Sequence, residues 1–548
     1  MASASSADTK RQIFMILTKK HSLKLKTEAI KYLEAVVSSL PREELADALN
    51  YIAVSYIKQQ DSGQQLVDQP TLAAVVESMF RKASLTNALE SAAAAPDTSS
   101  AGTIDELSAY LEVVDAFAVP KWRYRSDGRM FVRCTETPKL LAPAREKAAA
   151  YRDRFELVRE RMLRNEAFRS SSFARRDDYL EIMPIKNLQG HKPGTYLLFG
   201  MLTQIVEGKY HLEDPDALIE LELPADPTKN IARGTGLFTL NCLVLIEGVY
   251  TDDRTFRVRT LGMPLPETRA KSVAASGVDV DFFGAGLKGD DVVVVEHVER
   301  SMEDAMFVIV SDVFLDQPRL RKLFAGFSDE GVVRPLAFVL IGSFVSTPYI
   351  FDGASAAAYK DCWNGLADLL SDFRDLAQTS HFIFVPGPND PWNANILPRP
   401  GLSRFFTERL RNRCPRAVFA SNPCRIKYCT QEIVVFREDL ANRMRRNAIV
   451  AHLPEVPVEQ HLVATILDQA HLSPLPISVR PTYWAYDHAM RVFPQPHLLI
   501  LADRYDAYAV DYEGCKAVNP GSFPNQEYGF MVYWPATRTC EASIVPAE

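Results

Sequence analysis

Residues 381–391 constrain the fold of this chain most. An apolar run, His381-Phe382-Ile383-Phe384, leads without a break into Val385-Pro386-Gly387-Pro388-Asn389-Asp390-Pro391. A short apolar run closed by turn residues predicts a buried strand. Each proline in the turn fixes one backbone angle and removes one donor. A buried strand that ends in a Gly-containing turn is where an α/β fold places its ligand site. The segment therefore demands an α/β layer with a functional edge, and the rest of the chain has to supply it.

The last 260 or so residues do so by alternating strands and helices. Strands are expected at 292–296, 306–311, 337–341, 381–385 and 498–501. Helices are expected at 318–326, 355–376, 437–446 and 458–470. A hairpin is expected over 417–436, and the tail from 515 to 544 reads as strand-rich. This is the plan of an α/β sandwich. The segment Gly284-Ala285-Gly286-Leu287-Lys288-Gly289 matches a dinucleotide-binding pattern. That pattern works only between a strand and a helix. With a strand expected at 292–296, it is rejected as a phosphate cradle.

Upstream, residues 8–83 carry apolar side chains at helical spacing. Ile30, Leu33, Val36, Val37 and Leu40 form one stripe; Leu45, Leu49, Ile52, Tyr56 and Ile57 form another. Pro41 suits the first turn of one helix. Asp68 and Pro70 suit the start of another, which carries Leu72, Val75, Val76, Met79 and Phe80. The expectation for 1–85 is a compact four-helix bundle, and for 86–103, rich in Ala, Ser and Thr, a flexible tether. A connecting region follows at 104–178. It has a short helix over 104–117, a hairpin around Ser126-Asp127-Gly128, and a charged helix over 144–166 whose interspersed Arg and Glu suggest a solvated face. Residues 179–285 alternate as several short strands and suit a small OB-type barrel. Such a barrel grips single strands with a basic groove and stacking aromatics. Here Glu213, Asp214, Asp216, Glu220 and Glu222 stand on the candidate contact strands, which favours a protein-binding or structural barrel. Residues 286–548 form the sandwich.

Composition excludes several classes. The 548 residues carry a net charge of −7, the wrong sign for a stand-alone nucleic-acid binder. Eight scattered cysteines make no disulfide framework, and Cys424 and Cys429 lack zinc spacing. The start, Met1 to Lys10, has no apolar core of a secretory signal. No apolar run approaches the ~20 residues of a membrane span. No compact block of basic residues stands out as a nuclear address. The expectation is a soluble, intracellular protein.

The strand-end turns follow one another as Ser311-Asp312-Val313-Phe314, Gly342-Ser343-Phe344, Gly387-Pro388-Asn389-Asp390, Ala502-Asp503-Arg504-Tyr505 and Asn519-Pro520-Gly521-Ser522-Phe523. This order resembles the calcineurin-like metallophosphoesterases, whose turns read Asp-x-His, Gly-Asp, Gly-Asn-His-Asp/Glu and Gly-His-x-His, with a late Asn-Pro-Gly-Ser. Their paired metals activate water and polarise a phosphoryl oxygen, so carboxylate, imidazole and amide ligands must converge. On that resemblance Asp312 is kept. Phe314 stands for a His, Ser343 for an Asp, Pro388 for the metal-binding Asn and Asn389 for the catalytic His. Asp503 and Tyr505 stand for the paired His residues. Phe and Pro offer no ligand atoms. His471 is a candidate for a further family ligand, but one His and one Asp cannot hold two metals. No catalytic residue, cofactor or metal is therefore expected, and Asp312→Ala is expected to be nearly silent.

An OB-fold joined to such an emptied domain resembles the B-subunits of the eukaryotic replicative DNA polymerases. The resemblance runs from about Tyr179 to the C-terminus. It rests on Asp281-Phe282-Phe283-Gly284, Val385 to Pro391, Tyr483-Trp484-Ala485-Tyr486-Asp487 and Asn519 to Phe523. Gly200-Met201-Leu202-Thr203-Gln204, Gly208-Lys209-Tyr210, Leu212-Glu213-Asp214-Pro215 and the tethered N-terminal unit are most similar to the polymerase epsilon branch. That resemblance implies a multidomain α+β protein with an N-terminal helical bundle similar to AAA+ lids, an OB-fold barrel and an inactivated phosphoesterase sandwich. It implies a nuclear, non-catalytic subunit in DNA replication that holds the cysteine-rich C-terminal domain of the polymerase catalytic subunit. The N-terminal bundle would bind the GINS part of the CMG replicative helicase. Small histone-fold subunits would complete the assembly, and DNA would be met weakly or through the complex. The delta and alpha branches, a divergent metal-dependent phosphoesterase using Asp312, Asn389, Asp390, His471 and Asp503, and a nucleic-acid module on the barrel are the alternatives.

Overall fold

In the computed structural model the chain divides into two units, 1–98 and 99–548. The structure describes residues 12–21, 23–37, 49–50, 52–53, 66–67 and 72 of the first. Of the second it describes 110–168, 180–277, 280–284, 289–317, 319–329, 331–391 and 396–545. The tether expected at 86–103 and most of the third and fourth expected N-terminal helices lie outside the described residues.

In the first unit a π-helical segment, Phe14–Lys20, precedes helix α1, Thr27–Val37. Between them Lys24–Leu25 (β1) pairs in parallel with Leu66–Val67 (β2), a contact absent from the all-helical expectation. Leu17, Ala29, Leu33, Leu49, Ile52, Val67 and Leu72 form its core.

The second unit begins with a correction. A helix is expected over 104–117, but Leu111–Asp115 is strand β3. It pairs antiparallel with a strand more than 300 residues away, Leu111 opposite Tyr428 and Asp115 opposite Cys424. Trp122–Arg125 (β4) and Met130–Arg133 (β5) make the expected hairpin. Helix α2, Ala144–Leu163, is charged as expected, yet its arginines do not all face water. Arg154 pairs with Asp487, its Nε donating over 2.9 Å. Arg161 donates to the Leu467 carbonyl over 2.9 Å, and Arg164 clasps Glu267.

The barrel closes in the order β10-β8-β7-β6-β9. Its strands are Gly194–Val206 (β6), Lys209–Glu213 (β7), Leu218–Glu222 (β8), Leu243–Tyr250 (β9) and Phe256–Gly262 (β10). Bulges at Thr203/Val206 and Val258/Thr260 bend the β6–β7 and β9–β10 ladders and help the barrel close. Leu198, Leu202, Leu212, Ile246 and Phe256 fill its interior. Four of the five acidic residues suspected of spoiling a nucleic-acid groove are held by neighbours. Asp216 pairs with Lys186, Glu220 with Lys209 and Glu222 with Arg257. Asp214 accepts from the amides of Ile185, Asp216 and Ala217.

After helix α3, Arg269–Ser276, comes a second correction. The valine run expected as a strand at 292–296 lies in helix α4, Gly289–Ser301. Val295 and Glu299, four apart, are buried while Val293 is exposed, so the burial is helical. Intrinsic β-propensity is weak enough for packing to override it. The 284–289 motif thus does lead into a helix. The described elements just before it are α3 and a turn, not the strand that a phosphate cradle needs.

The sandwich has two six-stranded sheets, ordered β14-β13-β12-β11-β20-β21 and β18-β19-β17-β16-β15-β3. Phe307–Ser311 (β11), Ala337–Ile341 (β12) and His381–Val385 (β13) are parallel and buried almost throughout. Strands covered on both faces read as unbroken apolar runs, which is why they were legible. Ala417–Phe419 (β14) extends this sheet. Cys424–Tyr428 (β15) and Gln431–Arg437 (β16) belong to the other, so the expected 417–436 hairpin is divided between two sheets. Leu498–Ala502 (β17), Tyr508–Tyr512 (β18) and Cys515–Asn519 (β19) complete the second sheet. Gly529–Trp534 (β20) and Thr539–Ile544 (β21) complete the first. The sheets meet through the Phe307 and Tyr428 rings and through Tyr533, whose hydroxyl donates to Gln431 over 3.0 Å.

Helices Leu320–Gly326 (α5), Gly353–Asp372 (α6), Arg374–Thr379 (α7) and Arg404–Arg413 (α8) supply the first sheet's outer core, with Trp363 fully buried at its centre. Leu440–Asn447 (α9) and Val458–Asp468 (α10) pack against the second. The α10 side also fastens the barrel. The amides of Gly236, Leu237 and Leu243 donate to His461, Thr465 and Gln469 over 2.7–3.0 Å.

Candidate functional site

The carboxyl ends of β11, β12, β13, β16, β17 and β19 converge, as an α/β edge should. Asp312 directly follows β11 and has a positive φ of 54°. It is fully buried. Its Oδ1 accepts from the Ser343 amide over 3.2 Å and from Arg437 over 2.8 Å. The Arg504 Nε lies 3.6 Å from Oδ2.

Arg437, the last residue of β16, was not singled out in the sequence. It is the centre of the site. Its guanidinium is wholly buried and donates to the Gly342 carbonyl over 2.9 Å, to Asp312 and to Asp439 over 2.7 Å. Burial works against its charge, and the carboxylates of Asp312 and Asp439 outweigh burial, so its pKa is raised. A buried carboxylate needs a counter-charge, and here an arginine of the chain itself provides it. Asp312→Ala is therefore not expected to be silent, contrary to the sequence expectation, because it would take one of two carboxylate partners from a wholly buried guanidinium. An isolated cation closing the apolar run Ile433-Val434-Val435-Phe436 was the available sequence signal.

The other family positions are also committed. The Ser343 hydroxyl accepts from the Asn389 amide over 3.2 Å. The Asn389 side-chain amide donates to the carbonyls of Val345 and Ser346 over 3.3–3.4 Å. Pro388 and Phe314 bring no donor atom. Asp503 accepts from the amides of Ala441 and Tyr505 over 2.8 and 3.0 Å, tying α9 to the end of β17. Its pKa is raised, chiefly by burial. Asn519 bridges the Asp503 and Gly521 amides, each over 3.0 Å. Its side chain donates to the Tyr505 and Asp506 carbonyls.

His471 is not joined to this set. It sits beside Asp487, 3.4 Å away, and accepts from the Ser473 amide over 3.0 Å. Burial pushes its pKa down to about 4, with the nearby Arg154 charge acting the same way. The residues thus do not fit a pair of phosphoesterase metals. The Asp312 carboxylate is held by guanidinium, and Ser343, Asn389 and Asp503 bond to backbone or to one another. Among the described residues no group of three or more His, Cys, Asp or Glu is arranged to hold a metal.

Asp390 explains the shape of the opening turn. Its Oδ1 accepts from the Phe344 amide over 2.9 Å and the Tyr359 hydroxyl over 3.0 Å, and its Oδ2 from the Gly387 amide over 2.7 Å. One carboxylate therefore staples the turn after β13 to the turn after β12. Burial raises its pKa to about 6, against those hydrogen bonds. A carboxyl with a raised folded pKa holds its proton better in the folded than in the unfolded chain. Its contribution is complete below the unfolded value, near 4, and is lost as pH climbs through about 6. That loss is about 3 kcal/mol for roughly two pKa units. The expected result is a thermal midpoint that falls between pH 4.5 and 6.5 in the wild type and falls less in Asp390→Asn. Equal slopes for the two proteins would contradict this assignment.

Comparison with known proteins agrees with this architecture. The family of DNA polymerase alpha/epsilon B-subunits matches residues 307–510. The DNA polymerase epsilon subunit 2-like OB-fold domain matches residues 144–265, from α2 through the barrel. The chain is 36% identical over 543 residues to DNA polymerase epsilon subunit 2 of Homo sapiens, covering 96% of each. It is 33% identical over 549 residues to the DNA polymerase epsilon B-subunit of Schizosaccharomyces pombe, covering 93% of this chain and 91% of that one. It is 36% identical over 444 residues to the DNA polymerase epsilon B-subunit of Arabidopsis thaliana, covering 79% and 83%.

Proposed function

The chain belongs to the family of second, or B, subunits of DNA polymerase epsilon, and on that premise we propose that it serves the polymerase as a non-catalytic scaffold. The observation that carries the non-catalytic part is the buried Arg437–Asp312 pair. A guanidinium is permanently charged and cannot be displaced cheaply from a dry site. It supplies neither a metal-bound hydroxide nor a Lewis acid. In this reading the rigid barrel and sandwich hold the cysteine-rich C-terminal domain of the catalytic subunit. The N-terminal unit reaches the GINS part of the CMG helicase, and the histone-fold subunits join through the assembled holoenzyme. The work is nuclear, and DNA is met through the complex.

Two measurements test this. Metal analysis of the pure chain should find no stoichiometric metal pair, and a chromogenic phosphodiester with manganese should show no turnover above buffer. Paired metal with turnover would overturn the scaffold reading. Deleting residues 1–90 should leave co-purification with the catalytic subunit unchanged and abolish co-purification with the helicase. Loss of the catalytic subunit after that deletion would refute the assigned division of labour.

A further inference from the structure

The stretch between β5 and α2 frames a groove of about 450 Å³, lined by Lys121, Arg123, Arg133, Lys139 and Arg145 and by the carboxylates of Glu136 and Glu146. Two of the cations are internally paired. Lys121 lies 3.4 Å from Glu146, and Arg123 lies 2.8 Å from Asp153 on α2. Arg133, Lys139 and Arg145 are in no ion pair with another described residue. The groove is built rather than loose. The Cys134 amide donates to the Lys121 carbonyl over 2.8 Å, and the Tyr486 hydroxyl donates to the Pro138 carbonyl over 3.1 Å.

A second observation lies on the same stretch. Leu140 and Leu141, between the lining residues Lys139 and Ala142, are 52% and 93% exposed. Large apolar side chains clustered at the surface mark interaction sites. Cations with no partner beside them set the sign of what would bind. No aromatic side chain lines the groove, so nothing is present on which bases would stack. Leucines at its lip gain nothing from a phosphate backbone.

We propose that this groove is a docking site for an acidic protein segment that carries bulky apolar residues. Its carboxylates would meet Arg133, Lys139 and Arg145, and its apolar residues would cover Leu140 and Leu141.

The test uses the full-length chain and a fluorescein-labelled synthetic peptide of sixteen residues, a Leu-Leu pair flanked by Glu and Asp. Saturable binding is expected, weakening as salt rises. Leu141→Asp and the double variant Arg133→Glu with Arg145→Glu should each weaken it at least tenfold, with thermal midpoints unchanged because all three side chains are exposed. The double variant should instead bind the same peptide with Lys replacing Glu and Asp. The proposal fails if the acidic peptide does not saturate. It fails also if the variants bind it as the wild type does, or if oligo(dT) of equal charge binds as tightly and competes.

Discussion

Arg437→Met is expected to destabilise the 99–548 unit by roughly 3–5 kcal/mol, because it leaves Asp312 charged and buried without its partner. Asp312→Ala should cost less from the other side, because the guanidinium keeps Asp439 and the Gly342 carbonyl. The double variant Arg437→Met with Asp312→Ala removes both charges and should recover most of that loss. Urea unfolding of the wild type and the three variants would measure it. The cycle separates a paired site from two independent ones. If the double variant is no better than the sum of the singles, the two groups do not depend on each other. The pair would then not be what holds the emptied edge together.

Gly387→Ala should produce the other large effect. A Cβ at this position would lie 2.4 Å from the Gly342 carbonyl carbon and 2.4 Å from the Ser343 amide nitrogen. Both are backbone atoms, so no side-chain rotation relieves the clash. The turns after β12 and β13 would have to separate. That would pull the Gly387 amide from Asp390 and strain the Gly342 carbonyl against Arg437. A loss of about 2–4 kcal/mol is expected, or failure to accumulate folded protein. Gly365→Ala is the control. It is exposed within α6 with nothing within 4 Å of its would-be Cβ. It should gain about 0.5–1 kcal/mol from helix propensity. A neutral Gly387→Ala would mean that the two turns can part without cost.

How much was legible follows from where the information sits. The three central strands of the first sheet are buried on both faces, and their apolar runs announced them one by one. The barrel's strands were marked by alternation and by their turns. The misread elements are those whose state depends on a distant partner. Residues 111–115 become a strand because β15 offers an open edge. The valine run becomes helical because Val295 meets the core while Val293 faces solvent. The 417–436 segment divides because the chain passes from one sheet to the other between Phe419 and Cys424. Arg154 and Arg161 of α2 turn inward because Asp487 and the end of α10 lie beneath them.

The site shows the same division. Residue identity alone determined which turn positions cannot ligate: a proline cannot, nor can a phenylalanine, wherever the fold puts them. It also determined that a Gly-Pro-Asn-Asp corner would close the strand at 381–385. How the strand ends are held was decided only by tertiary structure. Arg437 and Asp312 are 125 residues apart, and Asp390 reaches Phe344 and Tyr359 across two elements. A local pattern records propensity and burial. It does not record which charge a buried carboxylate will face, because that is set when the strand ends converge and exclude water.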